Sequence, residues 1–521
     1  MLVKPGRSLR VGLLLAGIGG SACGARSGLS NADAGPEPQA CVVDLDCATG
    51  DACSPAECRE GVCAALPSKV CDDQDQCTRD ICDPITAACS FPPLTPDLDG
   101  DGHRSPLPGF APGAPGSCGD DCDDRSAAAH PGGVEVCDGV DNDCNGQVDD
   151  GAAYGGATQP VRVSATRFDH TLSGGLAFDG KNYGASYSGH QEKWGSYFTG
   201  LTRSGATAVT ETALTDINSE TYAGVLLHNG SYFESVWDDA RQAGNYEIYF
   251  NRFDSNGKKL GPDLRVTNAP NFSLHSSMVW NGLESVLVWD DRRFESRSND
   301  DVRVFGQRVD FDGKLIGGNV QLTGPGTLAE SPAIARGVAR LGVVFASQVA
   351  SNVHAKFLTT APDLTAPSAL VDIGSADVQN PNLIFVNGRF LLAWERYGVN
   401  GPESSIYGAV IDETGTVIAP EQPLTSGANF ARSLALLSLG ERALMVWADD
   451  HDGNFELYWQ ILDSNLKVLV PRTRLTFTAT DSLVSAASFG PSGDIGILYD
   501  DWVGGSRQTY FLSMGCVMAG K

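Results

Sequence analysis

From residue 160 onward, the apolar positions fall into short runs, broken every few residues by Gly, Asn or Asp. Stretches such as FESVWDDARQ, FLLAWERY and ALMVWADD have strand length and end on an aromatic residue followed by acids. Period-two alternation bounded by turn residues predicts strands, not helices. The pattern also repeats. Each unit holds a short strand, an alternating strand ending in the aromatic, a third strand, a D-x-x-G type turn and a strand ending near Leu-Thr. The aligned aromatics are Tyr187, Trp237, Trp289, Phe345, Trp394, Trp447 and Tyr499, separated by 50, 52, 56, 49, 53 and 52 residues. Four strands in such a span is one blade of a β-propeller. The expected fold class is therefore mainly β, with a seven-bladed propeller over 159–516 behind smaller modules. The seventh unit stops at YFLSMGC without a fourth strand, whereas QPVRVSA, at 159–165, precedes the first unit and reads as that strand. Pairing them, residue 160 opposite about residue 513, would close the ring and remove its open edge.

Charge changes the picture upstream of the repeats. The 521-residue chain carries a formal charge of −27, and 24–151 alone holds 25 Asp and Glu against 6 Lys and Arg. Binding to nucleic-acid phosphates needs a basic surface, so that partner class is excluded and cations are favoured. The N terminus is the exception. MLVKPGRSLRVGLLLAGIGGSAC has a basic start, an apolar stretch and small residues, the layout of an export signal too short to span a bilayer. Its end, GGSAC, resembles the lipoprotein signal, which implies that Cys23 is lipidated; Gly20 stands where that signal usually has Leu. The expectation is an outer-membrane or cell-surface lipoprotein, otherwise a secreted one, with residues 1–23 as signal and 24–40 as a flexible tether. A lipid would be the only membrane attachment, because no later segment approaches the length of an apolar span.

There are 15 cysteines, an odd count. Without Cys23 the rest can pair completely, as befits an exported chain. Nine lie in 41–91: Cys41, Cys47, Cys53, Cys58, Cys63, Cys71, Cys77, Cys82 and Cys89. The part CDDQDQCTRDICDPITAACSF resembles the cysteine repeat of slime-mould extracellular-matrix proteins, which implies a stapled stalk or adhesive module. Zinc is disfavoured because paired C-x2-C knuckles are missing. Cys118, Cys122, Cys137 and Cys144 follow in the acidic segment, and Cys516 stands alone near the end. Ring closure brings Cys516 near the acidic segment, so its partner is expected among those four, or less readily within 41–89.

Residues 92–151 carry the candidate chemistry. DLDGDGH sets Asp97, Asp99 and Asp101 at alternate positions before Gly102, and DNDCNGQVDD repeats this with Asp141, Asp143, Asn145, Gly146 and Asp149. Oxygens at positions 1, 3 and 5 converge on one cation, and Gly at 6 permits the turn. Position 12 falls on Pro108 and Ala152, so the bidentate Glu of an EF-hand is missing. The loops look closer to thrombospondin type 3 and dockerin-like repeats, in which further oxygens come from elsewhere; Asp120, Asp121, Asp123 and Asp124 are the nearest donors, with Asp138 also in range. The whole stretch resembles the bacterial MopE-type metal-binding motif, whose pattern D-x-D-G-D-G, G-D-C-D-D and P-G-x-E-x-C-D-G-x-D-N-D-C-D-G is met by Asp97 to Gly102, Gly119 to Asp124 with one extra Asp, and Pro131 to Gly146 with Gly133 and Asn145 as small changes. That name implies copper, and His103 and His130 keep copper open. The residues favour Ca²⁺, since hard carboxylates prefer it and Cu(I) would want free thiolates or Met. The segment has little to bury, so a bound ion would supply folding energy.

The W-D-D-x-R segments bear Asp238, Asp239, Arg241, Asp290, Asp291 and Arg293, with variants at Asp449, Asp450, Asp500 and Asp501. Groups present in most units read as scaffold tying turns. The breaks in the repeat, blade four without acids and blade three with the loop RRFESRSNDD, are better candidates for binding. No G-x-S-x-G, H-E-x-x-H, phosphate loop or S-x-D-x-G-x-x-W box occurs. The expectation is a metal-binding surface protein acting in binding or adhesion to a protein or glycan, and not an enzyme. The alternatives are an extracellular hydrolase or lyase working at the propeller mouth, and a copper-binding surface protein.

Overall fold

In the computed structural model the described residues are 39–518, except 49, 136, 138–139, 147–148, 150–151, 166, 216–218, 243, 297–299, 375–376, 398–403, 426–429 and 491–492. Cys23 with the expected signal, nearly all of the tether, and Asp138 lie outside the described residues. Two compact units part between Leu94 and Thr95, which leaves the acidic segment in the same unit as the repeats. Among the described residues, no helix is long and apolar enough to cross a membrane.

The first unit has two small hairpins, Ala56–Arg59 with Val62–Ala65 and Ile81–Cys82 with Cys89–Ser90. Its larger apolar side chains face water, Val42 at 90%, Ile85 at 84% and Leu45 at 82% exposure. Sulfur bridges take the place of a core: Cys41–Cys58, Cys47–Cys63, Cys53–Cys82 and Cys71–Cys89. Cys77 is also disulfide-bonded.

In the second unit, the described residues form a seven-bladed β-propeller. Six blades are four-stranded antiparallel sheets in chain order. Blade 1 is His170–Phe178, Tyr183–His190, Trp194–Leu201 and Thr207–Ala213; blade 2 is Thr221–His228, Phe233–Gln242, Asn245–Phe253 and Leu264–Arg265. Blade 7 comprises Ser482–Phe489, Ile495–Val503 and Ser506–Met518, and Val161–Arg162 supplies its outer strand, with Val161 opposite Phe511 and Arg162 opposite Tyr510. The N-terminal strand thus closes the ring.

The repeated residues now have physical roles. The seven anchor aromatics lie on the second strands and are almost wholly buried. Six pack against the preceding blade, as Trp289 does on Val236 and Phe250, and Trp447 on Leu391 and Ala393. Truncating such a ring costs about 3–5 kcal/mol. The Leu-Thr signature lies just past the outer strand in most blades. There Leu322, Leu424 and Leu475 are buried, while the hydroxyls of Thr323, Thr425 and Thr476 accept the N–H of Val304, Ile406 and Leu457 at 3.0, 3.0 and 2.8 Å. An apolar residue thus fills the space between blades and a hydroxyl satisfies a backbone group that the short outer strand leaves unpaired.

Candidate metal centre

The two acidic loops fold alike. The Asp97 carboxylate accepts the N–H of Gly100 at 2.7 Å and of Gly102 at 3.1 Å; that of Asp141 accepts the N–H of Asn145 at 3.1 Å and of Gly146 at 2.7 Å. Gly102 and Gly146 sit at φ +99° and +90°, a region open to Gly at little cost. Where the first loop has Gly100, the second has Cys144 at φ +58°, held by its disulfide to Cys122.

Each loop receives carboxylates from another segment. Asp97, Asp99 and Asp101 converge, and Asp99 also converges with Asp121 and Asp124, their oxygens within 4.8 Å of one another. In the second loop Asp141 and Asp143 meet Glu135 under the same limit. Glu135 was not among the expected ligands; it lies upstream of the loop and adds a carboxylate to those of Asp141 and Asp143. Close backbone approach brings these donors in. A Cβ on Gly119 would collide with the Ser105 carbonyl, and one on Gly133 with the Asn142 carbonyl.

The decisive feature is what these carboxylates lack. In Asp99, Asp101, Asp121 and Glu135, one oxygen accepts a backbone N–H, from Asp101, His103, Asp123 and Asp143 respectively. The other oxygen of each is buried without a hydrogen-bond donor. Among the described residues, no Lys or Arg pairs with any of the four. Burial holds the carboxyls of Asp121 and Glu135 above their ordinary range, and neighbouring carboxylates add to it. Buried bare carboxylates in this number are unfavourable unless a cation joins them, so the residues present fit a hard divalent ion.

The other expected ligands are placed differently. Asp120 lies 3.1 Å from His103 Nδ1, and this contact raises the imidazole pKa. Asp123 is exposed outside the clusters. Both Asp124 oxygens also accept hydrogen bonds, from Leu98 N–H and the Ser105 hydroxyl at 2.8 and 2.6 Å. Asp149 forms an ion pair with Arg442 of blade 6. Asn145 contributes its N–H to Asp141 and Asp143. His103 and His130 stack with centroids 5.0 Å apart and planes within 9°, so their in-plane nitrogens run side by side and do not converge on one ion.

The module is joined to the ring closure. Cys137, two residues after Glu135, is bonded to Cys516 across 379 residues of sequence. Tyr154 donates its hydroxyl to the Cys137 carbonyl and packs edge-on against Trp459. Ala152–Gly155 pairs with the end of blade 7's last strand, Tyr154 opposite Cys516. Metal loops, disulfide and closing strands form one clasp.

The propeller acids differ in having a cation or an indole beside them: even Asp290 and Asp500, whose Oδ2 also lacks a hydrogen-bond donor, lie against His275 and Arg507. Asp239 accepts the Trp237 indole N–H at 3.0 Å, the Arg241 N–H at 2.8 Å and the Arg241 guanidinium. Asp291 does the same for Trp289 and Arg293. The acid just before latches the next blade: Asp238 accepts the N–H of His275, Asp290 that of Ser331, Glu395 that of Ser433 and Asp500 that of Ser173, at 2.8–3.0 Å.

Residues 121–150 match the family model described as "Putative metal-binding motif", the copper-binding MopE type. No curated protein sequence matches the chain. Solved structures similar in fold include the phage phi92 endosialidase (8% identity, 68% of this chain and 69% of that one, TM-score 0.40) and a PL25 ulvan lyase (8%, 68% and 95%, 0.45). A further one is the β-propeller domain of the trilobed protease from Pyrococcus furiosus (10%, 65% and 97%, 0.38). The chain is thus a β-propeller protein bearing a metal-binding motif. The expectation that it is not an enzyme is corrected by these neighbours. Propellers of enzymes share the fold, so missing catalytic signatures do not set this chain apart from them. At such identities the likeness speaks for the fold alone.

Proposed function

We propose that the chain is an exported cell-surface protein whose acidic module holds Ca²⁺ as a structural ion and whose propeller presents a face for binding or adhesion to a protein or glycan. One observation carries the metal reading: the inward oxygens of Asp99, Asp101, Asp121 and Glu135 are buried with no donor. Ca²⁺ takes about 6–8 oxygens in flexible geometry, and two loops supplemented by remote carboxylates suit it. Asp97, Asp99, Asp101 and Asp121 would hold one ion, and Asp141, Asp143 and Glu135 another. Copper is disfavoured because Cys122, Cys137 and Cys144 are in disulfides and the two imidazoles stack. When bound, the ion supplies charge neutralisation, and the chain's own residues position the clasp. Calorimetric titration of the full chain with Ca²⁺ and Cu²⁺ after chelator dialysis tests this. Ca²⁺ is expected to bind and to raise the melting temperature; tight copper binding without calcium binding would overturn it. For the anchor, Cys23→Ala is expected to move the protein from the detergent to the aqueous phase in a phase partition; no change would overturn it.

A further inference from the structure

Strand direction divides the ring into two mouths. Arg442 opens the second strand of blade 6, so the acidic module meets the mouth that carries the first-to-second hairpins. At the opposite mouth, four aromatic residues form a row across blades 1 to 3. Trp194 starts a third strand, Tyr222 lies near the start of a first strand, Tyr246 near the start of a third, and Phe272 just precedes Ser273–Trp280, the first strand of blade 3. Successive ring centroids are 5.8, 6.1 and 5.8 Å apart. Trp194, Tyr222 and Tyr246 are half-buried and Phe272 is exposed.

The blade repeat does not require these rings. At the position of Tyr222, opposite the residue that follows the anchor aromatic, the other blades have Leu172, Leu274, Glu330, Gln379, Arg432 and Leu483. His275 breaks the repeat in the same place. Its N–H makes the latch that Ser331 and Ser433 make elsewhere, but here the residue carries an imidazole, Nδ1 2.7 Å from Asp290 Oδ1 and its side chain 52% exposed. It follows Phe272 by three residues and leads to Ser276, which with Ala223 and Gly224 lines a 460 Å³ cavity at the ring's centre.

The charge around the row selects a ligand. Asp238, Asp290 and Glu330 face His275, with Arg292 paired to Glu330 at 2.6 Å. Glu220 and Asp238 both act on the Tyr246 hydroxyl. Acids outnumber cations, so an anionic polymer is repelled. A pyranose presents a flat C–H face to an electron-rich ring and its hydroxyls to acceptors at the edge, as this row offers. An extended peptide sends alternate side chains to opposite sides and would find few backbone partners along four rings.

Resting on the reading of the propeller as a ligand-presenting face, we propose that the mouth of blades 1 to 3 binds a non-acidic glycan chain. Its sugar rings stack along Trp194, Tyr222, Tyr246 and Phe272, and its hydroxyls bond at His275 and Asp238. The test titrates the intact chain, with and without Ca²⁺, with cellohexaose, N-acetylchitohexaose, mannohexaose, hexagalacturonate and hexalysine, read by calorimetry and Trp fluorescence. At least one neutral hexasaccharide is expected to bind, and hexagalacturonate and hexalysine not. Tyr222→Ala and Phe272→Ala should each weaken binding tenfold or more, Tyr222→Phe should restore it, and Phe477→Ala on blade 6 should leave it unchanged, with melting temperatures holding for all. Failure of all three neutral sugars, equal binding of the acidic sugar or the peptide, or binding indifferent to Tyr222 and Phe272 overturns the proposal. Calcium heats measured alone judge the metal reading separately.

Discussion

Asp239 and Asp291 of the propeller and the acids of the clasp are the same chemical groups in opposite situations. Asp239 and Asp291 are buried with an indole, a backbone amide and an Arg around each. Asp99, Asp101, Asp121 and Glu135 each have a backbone amide on one oxygen and a second oxygen buried with no donor. The first set is complete without a ligand; the second would be completed by a cation. Sequence proximity of acids does not separate the two cases, because W-D-D and D-N-D look equally charged. The neighbouring donors do.

The largest effect that bears on this contrast comes from the link between the two regions. Cys516→Ser removes the covalent tie between the last strand and the clasp, leaving their strand pairing, and loss of a disulfide closing so long a loop is expected to lower stability by about 2–5 kcal/mol. The loss should appear in chemical unfolding with and without Ca²⁺. A variant as stable as the parent would show that the closing strands alone hold the ring.

Next in size is Asp239→Asn. It removes one of the two carboxylates on the Arg241 guanidinium, Asp263 remaining at 2.9 Å, and weakens the Trp237 bond, a loss of about 1–3 kcal/mol, equal in chelator and in Ca²⁺. Glu135→Gln should behave with the opposite sign in the two conditions. In Ca²⁺ it forfeits binding energy, which at a hundredfold excess over Kd is about 2.7 kcal/mol. In chelator it removes a bare carboxylate from Asp141 and Asp143 and should stabilise the protein slightly. Melting curves of the two variants in both buffers decide the matter. If Glu135→Gln lost the same stability in both, the clasp acids would be scaffold like those of the blades.

How much of this was legible beforehand follows from the range of the interactions. The blades repeat because each must present an aromatic to its neighbour, so Trp237, Trp289, Trp394 and Trp447 stand out by spacing alone. Closure by 159–165 was readable from one missing and one surplus strand, and the structure seats Val161–Arg162 there. The loops were readable because ligands at alternate positions are local. Glu135 was missed as a ligand: the motif pattern P-G-x-E-x-C includes a Glu there, but a single acid upstream of its loop has no periodic signal. The contact of its segment with the loop, Gly133 on the Asn142 carbonyl, appears only in three dimensions. Asp149 was placed with the ion by register, yet its partner Arg442 lies some three hundred residues away, beyond any local pattern. The aromatic row was invisible for the same reason, since its four members come from three blades.

The smallest effect concerns His275, the residue that departs from the latch pattern. Its hydrogen bond to Asp290, helped by Asp238 and Glu330, raises its pKa to about 9. An imidazolium favoured in the folded state contributes stability that is fully present below its unfolded value of about 6.5 and lost as pH rises through about 9. Burial moves the Asp238 carboxyl up to about 6. That second contribution is present below the ordinary carboxylate range and lost as pH rises through about 6, so the windows lie apart. His275→Asn keeps a polar group near Asp290 but cannot titrate. Its melting temperature should therefore lose the decline that the parent shows as pH rises through about 9, while the lower transition moves upward because no imidazolium favours the Asp238 carboxylate. The effect should be modest, because the imidazole is half exposed and solvent screens its side of the contact with the buried Asp290. Parallel profiles for the two proteins above neutral pH would show that the His275–Asp290 contact contributes nothing to the latch beyond its backbone N–H.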